Sequence, residues 1–192
     1  MPPAPRKRPE APATLDVAAW IDAAMDMLAE GGVDAVRIDP LAKRLGVTRG
    51  SFYWHFKDRD ALHQAMLKQW RKRASYAVGA RIDSQNPAPN ERLKQNLALP
   101  QASARSKHAA AIELAIRLWA RRDKEAARAV AHIDRVRLNY YAQLYAETGL
   151  KQEQARERAF LFYGALMARA YIVTDADTDV GDRLAALLLE KP

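Results

Sequence analysis

The chain has 192 residues and a formal charge of +8, is rich in Ala, Leu, Arg, Lys, Glu and Gln, and contains only eight glycines and few β-branched runs. That length buries a real core, and the propensities favour an all-α protein. With no cysteine, a disulfide framework, a thiolate metal site and thiol catalysis are all excluded.

Residues 1–13 carry five prolines together with Arg6, Lys7 and Arg8. They read as a flexible tail, either a basic extension that reaches DNA or a solubilising segment without fixed contacts. This opening lacks the apolar stretch of a secretory signal, and no run of about 18 to 20 apolar residues follows, so a cytoplasmic protein is expected. A first helix is predicted from Thr14, as its N-cap, to about Glu30, with Val17, Ile21, Ala24, Met25 and Leu28 as its apolar stripe. A short second helix is predicted with Asp39 as N-cap and Pro40 in its first position, ending at Gly46. A third runs from Thr48, its N-cap, to about His55. The tight turn between them places Ala42, Leu45 and Val47 inward, which is the spacing of a helix-turn-helix. Asp58 caps a long fourth helix with Leu62, Met66 and Trp70 on one face.

The segment DSQNPAPN breaks the chain at Asp83–Asn90, and a second helical body follows. A helix is predicted up to Leu99, ended by Pro100. The next spans Ser106–Arg121, with Glu113, Arg117 and Arg121 on a polar edge and Ile112, Leu114, Ala115, Ile116, Leu118 and Trp119 covering the remainder. Asp123 caps another that ends at Thr148 before Gly149, with Val130, Ile133, Val136, Tyr140 and Leu144 facing inward. A further long helix starts near Lys151, and a last short one carries Leu184, Leu187 and Leu188.

Positive charge is concentrated. Between Arg37 and Arg73 ten Lys or Arg face three Asp or Glu, a net +7, whereas residues 1–36 net −3 and residues 74–192 net +4. Such a patch suits a polyanion. The four histidines lack metal-binding spacings, no Gly-rich loop follows a strand, and the acid pairs lie on faces that read as solvated, so no enzyme, metal or cofactor is expected.

The stretch VTRGSFYWHF concentrates the rest of the signal. In a helix beginning at Thr48, Arg49, Gly50 and Ser51 form the first turn, where free N–H groups suit a phosphate. Phe52 and Phe56, four apart, anchor the helix. Tyr53, Trp54 and His55 cover the remaining angles and offer a phenol, an indole N–H and an imidazole to phosphate oxygens.

These residues carry a resemblance. LAKRLGVTRGSFYWHFKDRDAL, preceded by AAMDMLAEGG, resembles the DNA-binding domain of the TetR family of bacterial transcriptional regulators over Ile21 to Leu67. Leu41 and Ala42, Gly46 and Val47, Thr48, Gly50, Ser51, Phe52, and Tyr53 with His55 and Phe56 fall on the family pattern. The resemblance implies that Thr48–His55 is the recognition helix in the major groove, that Gly50 permits close approach, that Tyr53 and His55 lie near the DNA backbone, and that Lys57 reaches a phosphate. Where family members place a Thr or Ser ahead of the second helix, this chain has Val36 and Arg37. Capping then passes to Asp39, and Arg37 takes over the phosphate contact. Arg59 stands at a frequent lysine. Trp54 occupies the variable position, facing either the duplex or the core.

The expected organisation is a tail at 1–13, a helix-turn-helix DNA-binding domain at 14–57, a linking helix at 58–82 and a helical effector-binding and dimerisation domain at 83–192. The DNA-binding set is Arg37, Thr48, Arg49, Gly50, Ser51, Tyr53, Trp54, His55 and Lys57. For an unidentified small-molecule effector the candidates are His108, Trp119, Asn139, Tyr140 and Tyr163, the polar or aromatic groups in otherwise apolar helices. For a homodimer they are Phe162, Leu166 and Ala170, with Gly164, Ala165 and Ala168 allowing close approach. The expected function is a ligand-responsive repressor on a palindromic DNA operator. The alternative is a helical homodimer that binds a small molecule or a protein and touches polyanions only non-specifically.

Overall fold

A computed structural model describes residues 15–79, 87–172 and 180–189. Its order is α1 (Val17–Gly31), α2 (Ile38–Arg44), α3 (Arg49–Phe52), α4 (Arg59–Gly79), α5 (Pro89–Ala98), α6 (Ala104–Ala120), α7 (Lys124–Glu147), α8 (Gln152–Tyr171) and α9 (Val180–Leu189). Single 3-10 turns lie at Val33–Ala35 and Leu99–Gln101. Among the described residues there is no strand, as the composition predicts. No helix among them is long and apolar enough to cross a membrane.

Local hydrogen bonds explain where these helices begin. Asp58 and Asp123 cap α4 and α7 as expected, each carboxylate accepting from the backbone N–H three residues on, Ala61 and Ala126, at 2.8 Å. In α1 the cap is Asp16, which accepts from the Ala19 N–H at 2.8 Å. Thr14, expected there, lies outside the described residues. The start of α2 also differs. The 3-10 turn delivers the chain with Arg37 extended, so the helix opens at Ile38 and Arg37 holds the N-cap position without a side-chain bond. Pro40 sits in the first turn, where a missing N–H forfeits no intrahelical bond. Asp39 is thereby inside the helix, its carboxylate released from capping. The turn to α3 passes through Gly46, whose φ of +68° is a region L side chains rarely adopt.

The third helix is shorter than predicted. The Phe52 carbonyl accepts from both the His55 and Phe56 N–H groups at 3.0 Å, which closes α3 after one turn and leaves Tyr53–His55 in a following turn.

Among the described residues, two hydrophobic clusters hold the helices together. The first joins α1–α4 to the C-terminal half of α6 and the N-terminal half of α7, through Trp20, Leu28, Leu41, Phe52, Met66, Trp119 and Ile133. Val17, expected in the stripe of α1, is exposed, and Trp20 takes the inward place, packing edge-on against Phe52 at 5.5 Å. The second cluster gathers α5, α7, α8 and α9 around Leu93, Leu97, Tyr141, Leu144, Tyr145 and Phe162. Here α7 turns Arg137, Tyr141 and Tyr145 inward, and the predicted Val136 and Tyr140 are only half-buried. Hydropathy had excluded Arg137, yet its burial sets the register of the helix. On α6 the pattern is inverted in the same way: Glu113 is buried, while Leu114 and Leu118 are exposed. Leu187 of α9, expected inward, is exposed as well.

Phe52 is fully buried at the centre of the first cluster. Phe52→Ala should therefore lower stability by about 3–5 kcal/mol in urea denaturation, whereas Asp39→Ala, which removes no cap bond, should leave the midpoint where it is.

Candidate nucleic-acid interface and the buried charge cluster behind it

The packing of Phe52 and Phe56 determines what the neighbouring residues present. Their rings lie 5.3 Å apart on the core side. Arg49, Gly50 and Tyr53 are consequently exposed, and Trp54 is 87% exposed, so of the two orientations open to it in the sequence it takes the outward one. Ser51 and His55 are half-buried. The Ser51 hydroxyl is 3.2 Å from that of Thr48, and His55 is tilted against Trp20 at 6.3 Å. Arg37 and Lys57 are exposed at the starts of α2 and α4. A Cβ on Gly50 would meet only the Thr48 hydroxyl, at an ordinary 3.6 Å. Its lack of a side chain thus leaves outside space and fills no internal need.

One partnership in this surface had no sequence signal beyond charge sign. Arg49 donates from Nη1 to the Asp39 carboxylate at 3.4 Å and from Nη2 to the Tyr53 hydroxyl at 3.3 Å.

The five expected effector residues are not brought together. His108 lies on α6 against Asp26 of α1, 2.9 Å apart. Trp119 packs edge-on against His63 of α4 at 4.9 Å, inside the first cluster. Asn139 is exposed. Only Tyr140 and Tyr163 are neighbours of a sort, both flanking Tyr141. Of the residues expected at a dimer contact, Phe162 and Leu166 are buried in their own chain and Ala170 is half-buried. Among the described residues, the large exposed apolar ones of this region are Phe160 and Leu161 on α8, Ile172 just after it and Leu187 on α9.

Tyr163 belongs to a charge cluster, buried at Glu113 and Arg137 and half-buried at Arg117 and Asp134, that has no signature in the hydropathy pattern. Arg137 grips both Glu113 oxygens, at 2.6 and 2.9 Å. Arg117 donates to Glu113 at 2.9 Å and to both oxygens of Asp134 at 2.6 and 3.2 Å. The Tyr163 hydroxyl accepts from Arg117 at 2.8 Å and donates to Asp134 at 2.7 Å. Two cations meet two anions, so the set is neutral and ties α6, α7 and α8 together. Burial pushes the Glu113 carboxyl up, but the charges and hydrogen bonds of Arg137 and Arg117 outweigh it and hold it below its ordinary value. Asp134 is likewise pushed up by burial and held lower by Arg117 and Tyr163. Burial raises the Tyr163 phenol to about 12, so it stays protonated and can donate. The available signal was complementary spacing: Glu113 and Arg117 four apart on one helix, Asp134 and Arg137 three apart on the next.

Helix α6 also reaches the N-terminal helices. Besides His108 and Trp119, Arg122 just beyond its end pairs with Asp34 in the 3-10 turn at 3.1 Å. His63, under Trp119, accepts from Arg59 at 3.3 Å, and burial together with the Arg59 charge lowers its pKa.

The model for bacterial regulatory proteins of the tetR family matches residues 21–66. Tetracycline repressor protein class A from transposon 1721 of Escherichia coli is 47% identical over 53 residues, 26% of this chain and 24% of that protein. The HTH-type transcriptional regulator SrpR of Pseudomonas putida is 43% identical over 47 residues, 24% of this chain and 22% of its own. The chain thus spans about a quarter of the length of these curated relatives, 24% and 22%. Across nearly the whole fold it is similar to FadR from Bacillus subtilis in complex with stearoyl-CoA, with TM-score 0.67 and 19% identity over 91% of this chain and 98% of that one. AibR in complex with isovaleryl coenzyme A and operator DNA gives TM-score 0.65 and 15% identity over 88% and 96%. At such identities the likeness is one of fold.

The charge cluster has a measurable signature. Folding lowers the pKa of Glu113 and Asp134 from ordinary values of 4.5 and 3.8, so the unfolded chain binds more protons in that range. The stability they contribute is present above about pH 4.5 and lost as pH falls through the folded values. Glu113→Gln leaves two arginines short of an anion and should cost about 3–5 kcal/mol, with a shallower acid limb in chemical denaturation followed against pH.

Proposed function

We propose that this protein, a member of the TetR family by its DNA-binding domain at residues 21–66, is a ligand-responsive transcriptional repressor that binds a two-fold symmetric operator as a homodimer. The observation that carries the reading is the division of labour in residues 48–57: Phe52 and Phe56 are buried while Arg49, Gly50, Tyr53, Trp54 and Lys57 face outward, in a segment that nets +7 from Arg37 to Arg73. An outward turn of this chemistry, on a helix anchored by its opposite face, suits a major groove flanked by phosphates. We assign Arg37, Tyr53, Trp54, His55 and Lys57 to backbone positioning, with Thr48, Arg49, Gly50 and Ser51 closest to the base edges. We assign the reading role to the domain at 14–57, the link to α4, and the effector and dimerisation roles to the body at 83–192; residues 1–13, expected as a tail, and 80–82, expected in the linking helix, lie outside the described residues. The protein acts in the cytoplasm as a regulator and not as an enzyme.

Dimerisation through α8 and α9 fits their exposed Phe160, Leu161 and Leu187, which replace Phe162 and Leu166 as contact residues. The structural relatives FadR and AibR hold stearoyl-CoA and isovaleryl coenzyme A, and we extend to this chain a small organic effector bound among the helices of the body. Its binding is coupled to DNA through α6, whose middle is fixed in the charge cluster and whose two ends touch α1, the 3-10 turn and α4. An effector that favours one arrangement of α6 favours one spacing of the reading helices.

In a mobility-shift assay with competitor DNA, the protein should retard its own upstream intergenic fragment far better than random duplex; equal retardation would leave only non-specific polyanion contact. Lys57→Ala should weaken all sequences alike and reduce the log–log salt slope by about one. Phe160→Asp combined with Leu161→Asp should give a folded monomer by sedimentation, with loss of operator binding. A variant that stays dimeric would move the interface elsewhere.

A further inference from the structure

The acid beside the reading helix needs an explanation. Asp39 caps nothing, because α2 has already begun at Ile38. Its side chain is 68% exposed, on a surface whose proposed partner is a polyanion. A lone carboxylate there repels phosphates and weakens binding. What it does in this structure is hold Arg49, whose Nη1 lies 3.4 Å from its Oδ2, while the Tyr53 hydroxyl, one turn further along, accepts from Nη2 at 3.3 Å. An acid of α2 and a phenol beyond α3 thus bracket one guanidinium whose side chain remains 60% exposed.

The bracket occupies two of the five N–H donors and leaves the others to a ligand. A phosphate is well served by any mobile cation, so fixing a side chain adds little there. Orientation matters for a target with two acceptors in a fixed plane. In the major groove that target is guanine, whose O6 and N7 match the guanidinium fork. The exposed Asp39–Arg49 pair contributes little in water. Once the duplex excludes solvent, the same pair is strengthened by the lower local dielectric, and the arginine neutralises the acid that steadies it.

We propose, building on the operator-binding reading, that Asp39 is a positioning residue that aims Arg49 at a guanine in each half-site, with Tyr53 as the second support. Asp39 itself touches no base. It sets specificity at a position occupied by another residue, and lowers non-specific affinity by carrying negative charge into the interface.

The test is selection of bound duplexes from a randomised pool, followed by anisotropy titrations, with wild type, Asp39→Ala, Asp39→Asn, Tyr53→Phe, Arg49→Lys and Arg49→Ala, each checked by thermal melting. Wild type should select guanine at one position of each half-site, and both Arg49 variants should lose that preference. Asp39→Ala should reduce discrimination at the same position by roughly tenfold, the scale of one bidentate contact, while its affinity for random duplex rises. Asp39→Asn, which keeps an acceptor but no charge, and Tyr53→Phe should fall between. Full retention of the guanine preference in Asp39→Ala overturns the proposal. So does a changed preference at a base pair that Arg49→Ala leaves alone, since Asp39 would then be reading a base directly. A wild type without sequence preference sinks the operator reading itself, whereas a selective wild type with an indifferent Asp39 sinks only the positioning role.

Discussion

Four charges and one phenol, three of the five groups buried and two half-buried between three helices, constrain the architecture of this molecule more than any single apolar contact. Glu113, Arg117, Asp134, Arg137 and Tyr163 bond to one another, and the buried Glu113 and Arg137 would be expensive to leave unpaired. Apolar side chains tolerate small slides past one another; a closed set of directional bonds does not. The cluster therefore fixes the register of α6 against α7 and of both against α8, and the remaining packing follows from that register. Tyr141 and Tyr145 turn inward because Arg137 does, and Leu114 and Leu118 turn outward because Glu113 is held inside.

That constraint is transmitted. Helix α6 is pinned at its centre by the cluster and meets the N-terminal helices near both ends, through His108 with Asp26 and through Trp119 with His63. The first hydrophobic cluster runs across the same junction, with Ile116, Trp119 and Ile133 packed among residues of α1–α4. A rearrangement of α6 would thus be felt in α1, α4 and the 3-10 turn at Val33–Ala35 through packed side chains and ion pairs.

How much of this was legible depended on whether a residue's role followed from hydropathy. The helix-turn-helix was readable because glycine at 46 and buried groups at 41, 42, 52 and 56 obey spacing rules that local geometry imposes. Asp58 and Asp123 were readable as caps for the same reason. Arg137 and Glu113 were not, because a pattern rule that sends charge outward cannot anticipate that two helices will neutralise each other inside. Phe162 and Leu166 were expected at a dimer contact from the family plan, and the position of α7 places them in the core of their own chain. Of the effector candidates only Tyr163 lies in the charge cluster, while His108, Trp119 and Asn139 are held elsewhere, because linear spacing does not say which helix faces meet. Asp39 was given to α2 as a cap, and the extended Arg37 ahead of it removed that role.

The brevity of α3 has a consequence at the scale of a genome. In the operator-binding dimer proposed above, a single helical turn between Thr48 and Tyr53 exposes only a handful of side chains, so the sequence information that one protomer extracts is small, and matches to so short a word arise by chance throughout any chromosome. Useful addressing must come from demanding two such words at a fixed separation and opposite polarity. Whatever alters that separation then acts on the ability to find the site at all, as well as on the strength with which it is held. On the proposed reading, the body is part of the reading apparatus: it supplies the ruler, and the short helix supplies only the letters.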